Sequence, residues 1–216
     1  MIPYKIVSSL SILSFALSSV SAEVLIDDVL DRRIDDASQN NTGDDLRGSG
    51  DQRLVGDSSD NDRVFATAWT FDISSFTTEI DAASSIIFSV ELNSFSAAAQ
   101  TVFPTLDFFS LNTPDSLTAS DYENSTNLLG TIDMVGLSGG DTIQFDVTSI
   151  VQASTNDVGF ILKVQNPIGA NNGNGNGDIY NFAASSGQLS VIPEPTSFAL
   201  FAGCLGLLSV MLRRRS

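Results

Sequence analysis

From Val64 onward the chain alternates. Phe65, Thr67, Trp69, Phe71 and Ile73 fall on one side of a period of two, with Ala66, Ala68, Thr70 and Asp72 on the other. Ile86, Phe88, Val90 and Leu92 alternate with Ile87, Ser89, Glu91 and Asn93. Leu106 to Leu111, after Pro104, is a short aromatic run, and Leu128 to Val135 is another apolar one. Ile143, Phe145 and Val147 alternate with Gln144, Asp146 and Thr148, and Val158, Phe160, Leu162 and Val164 with Gly159, Ile161 and Lys163. Ile179 to Phe182 and Leu189 to Ile192 finish the set. A period of two belongs to strands with one face buried. About eight short strands joined by polar turns predict an all-β fold, an antiparallel β-sandwich. The local exception is Thr148-Ser149-Ile150-Val151-Gln152, which predicts a helical turn capped by Thr148.

Upstream the pattern thins. Glu23 to Asp62 is rich in aspartate, and its apolar pieces are short: Val24-Leu25-Ile26, Val29-Leu30 and Leu54-Val55. They predict one or two edge strands, with turns at Asn40-Asn41-Thr42-Gly43 and Gly48-Ser49-Gly50. Disorder and an amphipathic helix over 24–35 are the competing readings of this stretch.

Both ends depart from the alternation. Residues 1–22 have the parts of a secretory signal: Lys5, an apolar run from Ile6 to Val20, and Val20-Ser21-Ala22 as a small-residue cleavage site, with the cut expected between Ala22 and Glu23. Residues 197–212 carry no charge, and as a helix would extend about 24 Å. That is slightly short of a ~30 Å hydrocarbon core, and flanking residues make up the difference. Arg213, Arg214 and Arg215 form a basic stop that would remain cytoplasmic. Between body and span stands Val191-Ile192-Pro193-Glu194-Pro195-Thr196, in which proline fixes φ and bars the helix from extending outward. The expected division is a signal peptide 1–22, a body 23–192, a motif 193–196, a single transmembrane helix 197–212 and a tail 213–216.

Pro193-Glu194-Pro195, the apolar helix and the terminal arginines together resemble the PEP-CTERM sorting signal of Gram-negative bacteria, over residues 191–216. The resemblance implies export and transient anchoring in the inner membrane with the body periplasmic. It also implies processing near the motif by an exosortase, a membrane cysteine protease, with Glu194 as the recognised charge. Release to the cell surface or matrix would follow, so signal peptidase and exosortase are the expected partners during export. The same tail also goes by the name ice-binding protein C-terminal domain. Ice binding needs flat, regular threonine arrays, and none is present, so that name is not taken as an activity.

Charge narrows the partners of the body. The chain has 26 acidic and 10 basic residues, a net charge of −16. All acids but Glu194 lie between residues 23 and 192, where the bases are Arg32, Arg33, Arg47, Arg53, Arg63 and Lys163, so 25 acids face six bases and the net charge is −19. Such a surface repels nucleic acid and anionic lipid. There is no histidine, and the one cysteine, Cys204, sits in the apolar tail segment, so the body has no disulfide and must be stabilised by its core. Nucleophilic triads and zinc sites lose their usual residues with them. A carboxylate pair among Glu79, Glu91 and Glu123 is what remains for glycoside hydrolysis.

Calcium is the candidate cofactor, because it takes oxygen ligands. Asp57, Asp60 and Asp62 cluster in one loop, and Asp27, Asp28, Asp35 and Asp36 in another stretch. Asn172-Gly173-Asn174-Gly175-Asn176-Gly177-Asp178 resembles a calcium-binding glycine-aspartate turn, one residue off its spacing and unrepeated. Solvated loops on an acidic protein are the plainer reading of all three. Trp69 is a possible sugar platform but shares a face with Phe65 and Phe71, which favours the core; Tyr122 and Tyr180, near loops, are the better exposed aromatics.

Trp69-Thr70-Phe71-Asp72-Ile73-Ser74-Ser75, Ile80-Asp81-Ala82-Ala83, Phe145-Asp146-Val147-Thr148-Ser149-Ile150-Val151-Gln152 and Gly159-Phe160-Ile161-Leu162 resemble the pattern of DNRLRE-type jelly-roll domains across residues 24–191. The resemblance implies a jelly roll related to modules that bind acidic polysaccharide. The literal Asp-Asn-Arg-Leu-Arg-Glu string is absent. The expectation is an exported, non-enzymatic surface protein with a structural or adhesive role in extracellular polysaccharide or biofilm; the alternative is a glycan-binding module, with or without calcium.

Overall fold

The computed structural model describes residues 23–37, 42–48, 52–58, 63–112, 114–164 and 178–194. The predicted signal segment, Pro195, the span 197–212, the terminal arginines, Asp60, Asp62 and the 172–177 turn lie outside these residues. No helix among the described residues is long and apolar enough to cross a membrane.

The strands in chain order are β1 (Val24–Asp27), β2 (Leu30–Asp36), β3 (Asp45–Leu46), β4 (Arg53–Ser58), β5 (Arg63–Asp72), β6 (Ala83–Phe95), β7 (Thr105–Ser110), β8 (Asn127–Asp133), β9 (Thr142–Asp146), β10 (Asp157–Val164), β11 (Asp178–Phe182) and β12 (Gln188–Pro193). Short helices intervene: α1 (Thr77–Asp81) after a 3-10 turn at Ser74–Phe76, α2 (Ala99–Val102), α3 (Asp121–Asn124) and α4 (Thr148–Ala153). Every pairing is antiparallel. One layer runs β1-β12-β6-β9. The other runs β3-β2-β5-β10-β7-β8. The last third of β6 pairs with β11, β11 with β4, and β4 with the start of β5, so the two layers are one sheet rolled on itself.

The expected all-β antiparallel sandwich is therefore present, with twelve strands among the described residues in place of about eight. The additional strands come from 23–62, where four form among the described residues in place of one or two, and 24–35 forms strands in place of a helix. β12 also runs one residue past the expected end of the body: Pro193 pairs with Ala83, and the Glu194 N–H donates to the Ala82 carbonyl at 3.1 Å.

Alternation explains the core. Ile86, Phe88, Val90 and Leu92 of β6 are buried, as are Trp69 and Phe71 of β5, Phe108 of β7 and Phe160 of β10. Phe88 lies 5.5 Å from Trp69, 6.0 Å from Phe71, 5.1 Å from Phe108 and 5.3 Å from Phe160, centroid to centroid. Phe145 of β9 stacks on Phe108 at 3.9 Å, filling the side where β8 and β9 do not pair. Such rings bury the largest apolar areas available to a chain and add edge and stacking terms.

β5 departs from its pattern. Its second face, read as the wetter one, is also buried at Ala66, Ala68 and Thr70. The segment between β7 and β8 lies across it. A methyl on Gly159, the partner of Thr70, would meet Leu111 and Pro114 side chains at 2.7 and 3.1 Å. Lys163 pins this segment: its Nζ donates to the carbonyls of Tyr122 at 2.8 Å and Ser125 at 3.1 Å, and sits 4.3 Å from the Phe109 ring centre. Burial lowers its pKa to about 8, against the raising influence of Asp107 and Glu123.

Helix α4 begins where the sequence placed it, but Thr148 is not the cap. Asp146 accepts from the Thr148 N–H at 3.0 Å and hydroxyl at 2.6 Å, and the Thr148 hydroxyl accepts from the Ile86 N–H at 2.8 Å. Asp72 does the same for Ser74 after β5, at 2.9 and 2.6 Å.

Gly187 sets how closely the turn before β12 approaches the core. A methyl there would stand 2.5 Å from Trp69 Cδ1. The indole is walled in by Phe88 and Phe182, so neither partner yields cheaply. Gly187→Ala is expected to destabilise the fold by about 1–3 kcal/mol, read as a lower urea midpoint at unchanged slope.

Candidate functional site

The acid clusters singled out in the sequence do not stay together. Asp27 is exposed and its Oδ1 accepts from Gln188 Nε2 at 2.9 Å. Asp35 is fully buried and takes Arg33 Nε at 2.7 Å, Arg47 Nε at 2.8 Å and Arg63 at 3.5 Å. Asp36 is buried on the opposite face of β2. Asp57 is buried in β4, directly opposite Asp178 of β11, whose pKa burial raises. Among the described residues no group of three or more His, Cys, Asp or Glu is arranged to hold a metal ion. Sequence reasoning took these aspartates for a solvated or metal-binding surface. Asp35, Asp36 and Asp57 are instead buried in the fold, and of the arginines on Asp35, Arg47 and Arg63 come from outside β2, beyond what local spacing reports.

Arg53 and Asp31 form the most buried ion pair, with side chains 1% and 7% exposed and 2.5 Å apart. The Asp31 Oδ2 also accepts from the N–H of Ser185, a residue at φ 53°. Burial acts to raise the Asp31 pKa, but the Arg53 and Ser185 hydrogen bonds outweigh it and hold it below the usual value. Beside this pair Asp28 Oδ1 is buried without a hydrogen-bond partner, as is the Trp69 Nε1. Burial first, and the Asp31 charge second, raise the Asp28 pKa to about 6.

The expected exposed aromatics are not exposed. Tyr122 and Tyr180 are 3% and 0% accessible. The Tyr180 hydroxyl donates to the Phe103 carbonyl at 2.7 Å, and burial raises the pKa of both phenols. Tyr180 stands on β11 between β4 and β6, and Tyr122 lies against Lys163 of β10, contacts that proximity in sequence does not reveal. Trp69 is in the core, as its shared face implied. Glu79, Glu91 and Glu123 are exposed on three separate elements, α1, β6 and α3.

What the fold does assemble is a polar row. With Ile26, Leu189, Phe88 and Ile143 buried, the next residues along β1, β6 and β9, and the preceding one on β12, must face outward. Asp27 is in register with Gln188, Gln188 with Ser89, and Ser89 with Gln144. These four side chains come from four remote segments and stand in line across β1, β12, β6 and β9. A second row, two residues along, reads Leu25, Ser190, Ile87 and Asp146. Glu91 opposite Thr142 continues the polar surface beyond the first row. None of the four strands contains a lysine or arginine. Carboxamides and a hydroxyl, each able to donate and accept, suit an uncharged polar ligand more than an ion.

No family model matches the chain, and no curated protein does. Among solved structures it is similar to a xylan-binding module CBM15, at 14% identity and TM-score 0.43 over 80% of this chain and 98% of that one. It is also similar to xylanase 10C of Cellvibrio japonicus in complex with xylopentaose, at 12% identity and TM-score 0.35 over 79% of this chain and 27% of that one. A third is the CBM51-2 and INT domains of Clostridium perfringens ZmpB with GlcNAc, at 12% identity and TM-score 0.28 over 81% and 30%.

The Asp28 environment gives a pH dependence of known sign. Its pKa is raised from about 3.9 in the unfolded chain, so its contribution is fully present below pH ~4 and is lost as pH rises through about 6. The groups with lowered values, Asp31, Asp72 and Asp146, act below that window. Unfolding free energy is expected to be higher at pH ~5 than at pH ~7. Asp28's share is on the order of 1 kcal/mol after allowance for its partial exposure, and Asp28→Asn removes it. Urea titrations of both forms at the two pH values check this.

Proposed function

We propose that the body is a non-catalytic polysaccharide-binding module of an exported protein, and that it binds through the outer face of the β1-β12-β6-β9 layer. The observation that carries this reading is the in-register row Asp27, Gln188, Ser89 and Gln144. It offers donors and acceptors at strand spacing on a face free of basic residues. Among the described residues no aromatic is fully exposed, which supports hydrogen bonding over ring stacking as the means of recognition.

Export belongs to the same proposal. The signal segment 1–22 would deliver the chain to the periplasm, and residues 193–216 would anchor it in the inner membrane until an exosortase releases it to the surface. A polysaccharide-binding body supports a structural role in matrix or biofilm as the consequence of binding. The sequence has no histidine and no cysteine between residues 23 and 192, which supports binding without bond-breaking.

Native affinity electrophoresis of the exported protein through gels with and without soluble polysaccharides tests the reading. Retardation by at least one polysaccharide is expected, with no shortening of that polymer on incubation. Absence of retardation by every polymer would overturn it.

A further inference from the structure

We infer that the ligand is an extended, uncharged polysaccharide lying across the strands, one sugar per strand along the row Asp27, Gln188, Ser89 and Gln144; this rests on the binding face proposed above. The row is perpendicular to the strands because it is defined by cross-strand register. Neighbouring strands lie ~4.8 Å apart, so the four side chains span roughly 14 Å. An extended chain of equatorially linked sugar rings advances by a similar step, so each ring can present hydroxyls to one side chain. A branched or terminal sugar would meet one or two of the four.

Charge selects within that class. Asp27, Glu91 and Asp146 lie on the face or its margin, and no base on these strands offsets them. Asp146 stays ionised, since the Thr148 hydroxyl and N–H that it accepts from lower its pKa. Uronate or sulfate groups would meet these carboxylates and the net −19 of the body. The adjoining row places the aliphatic Leu25, which is 53% exposed, and the half-buried Ile87 beside the polar one. Those give the apolar edge of a ring something to rest on without an aromatic platform. The ligand class so defined departs from the acidic polysaccharide implied by the jelly-roll resemblance.

The test uses the exported protein, electrophoresed through gels containing a linear uncharged β-linked glucan, xylan or mannan, or a uronate polymer, and titrated with uncharged oligosaccharides of two to six sugars. Retardation by an uncharged polymer that persists at high salt is expected, with none by the uronate. Affinity should rise with length and level off near four sugars. Gln188→Ala and Gln144→Ala should each weaken binding about three- to tenfold. Leu128→Ser, on β8 of the other layer, should leave binding unchanged, and all variants should retain the parent melting transition.

A uronate polymer bound more tightly than the uncharged ones, or binding lost at high salt, would overturn the ligand class while leaving a glycan-binding body. Uncharged-polymer binding indifferent to both glutamine substitutions would overturn the row. Failure of all polymers would remove the reading beneath it.

Discussion

Phe88 sits where the two layers meet, in ring contact with β5, β7 and β10 at once. A body of this size without a disulfide has only its buried apolar area to set against chain entropy. The aromatic cluster concentrates that area at the crossing of β6 with the opposite layer. Once β6 must point Phe88 inward, Ser89 must point outward, and the same holds for Leu189 and Gln188 on β12. The polar row is thus the reverse side of the core. A one-residue slip of any of the four strands would exchange the two and put amides among the rings. The tolerance of the row to register error is that of the core, which is close to none.

The second constraint is charge. A net −19 would press any compact form outward, and the fold answers by gathering most of its few bases where acids are buried. Arg33, Arg47 and Arg63 converge on Asp35, and Arg53 meets Asp31. Buried pairs of this kind add little net stability over apolar residues, but either partner left alone is costly. They therefore act as conditions on register between β2, β3, β4 and β5. The β1-β12-β6-β9 strands carry no base, which leaves the outer face acidic at the margins and, beyond Asp27 at its end, neutral along the row.

The alternation in β5, β6, β9 and β10 was open to reading, because period and burial coincide wherever one face meets the core. It misled on the second face of β5, since the covering residues Leu111 and Pro114 belong to a loop some forty positions away. The 23–62 stretch was hard for the opposite reason. β2 reads Leu-Asp-Arg-Arg-Ile-Asp-Asp, a pattern that looks solvated until its acids find arginines on neighbouring strands. Tyr122 and Tyr180 looked exposed because loops are usually outside, but both are buried, Tyr180 within β11 between β4 and β6. Of the polar row, Ser89 and Gln144 were visible as the wet half of a strand, whereas Asp27 read as part of an acid cluster and Gln188 fell one residue before the strand expected from Leu189. Their alignment was not, because register between residues 27, 89, 144 and 188 is a property of topology.

That dependence on topology also separates this face from an ordinary solvated surface. A polar outer face is what any half-buried antiparallel layer produces, and by itself it implies no ligand. Here the four residues in line are two carboxamides, a hydroxyl and a carboxylate that already accepts from one of the amides. Lysine and glutamate are the usual solubilising choices for such positions, and lysine also guards edges. A chain with 26 acids that keeps three of the four row positions amide- or hydroxyl-bearing spares most of that row from its own prevailing charge. The sparing follows the line across the strands and not the length of any one of them, for Glu91 and Asp146 resume the acidic character two residues to either side. Three neutral donor-acceptor residues in line, ended by the Asp27 carboxylate and flanked by Glu91 and Asp146, are the basis on which the proposed binding of a long uncharged chain rests.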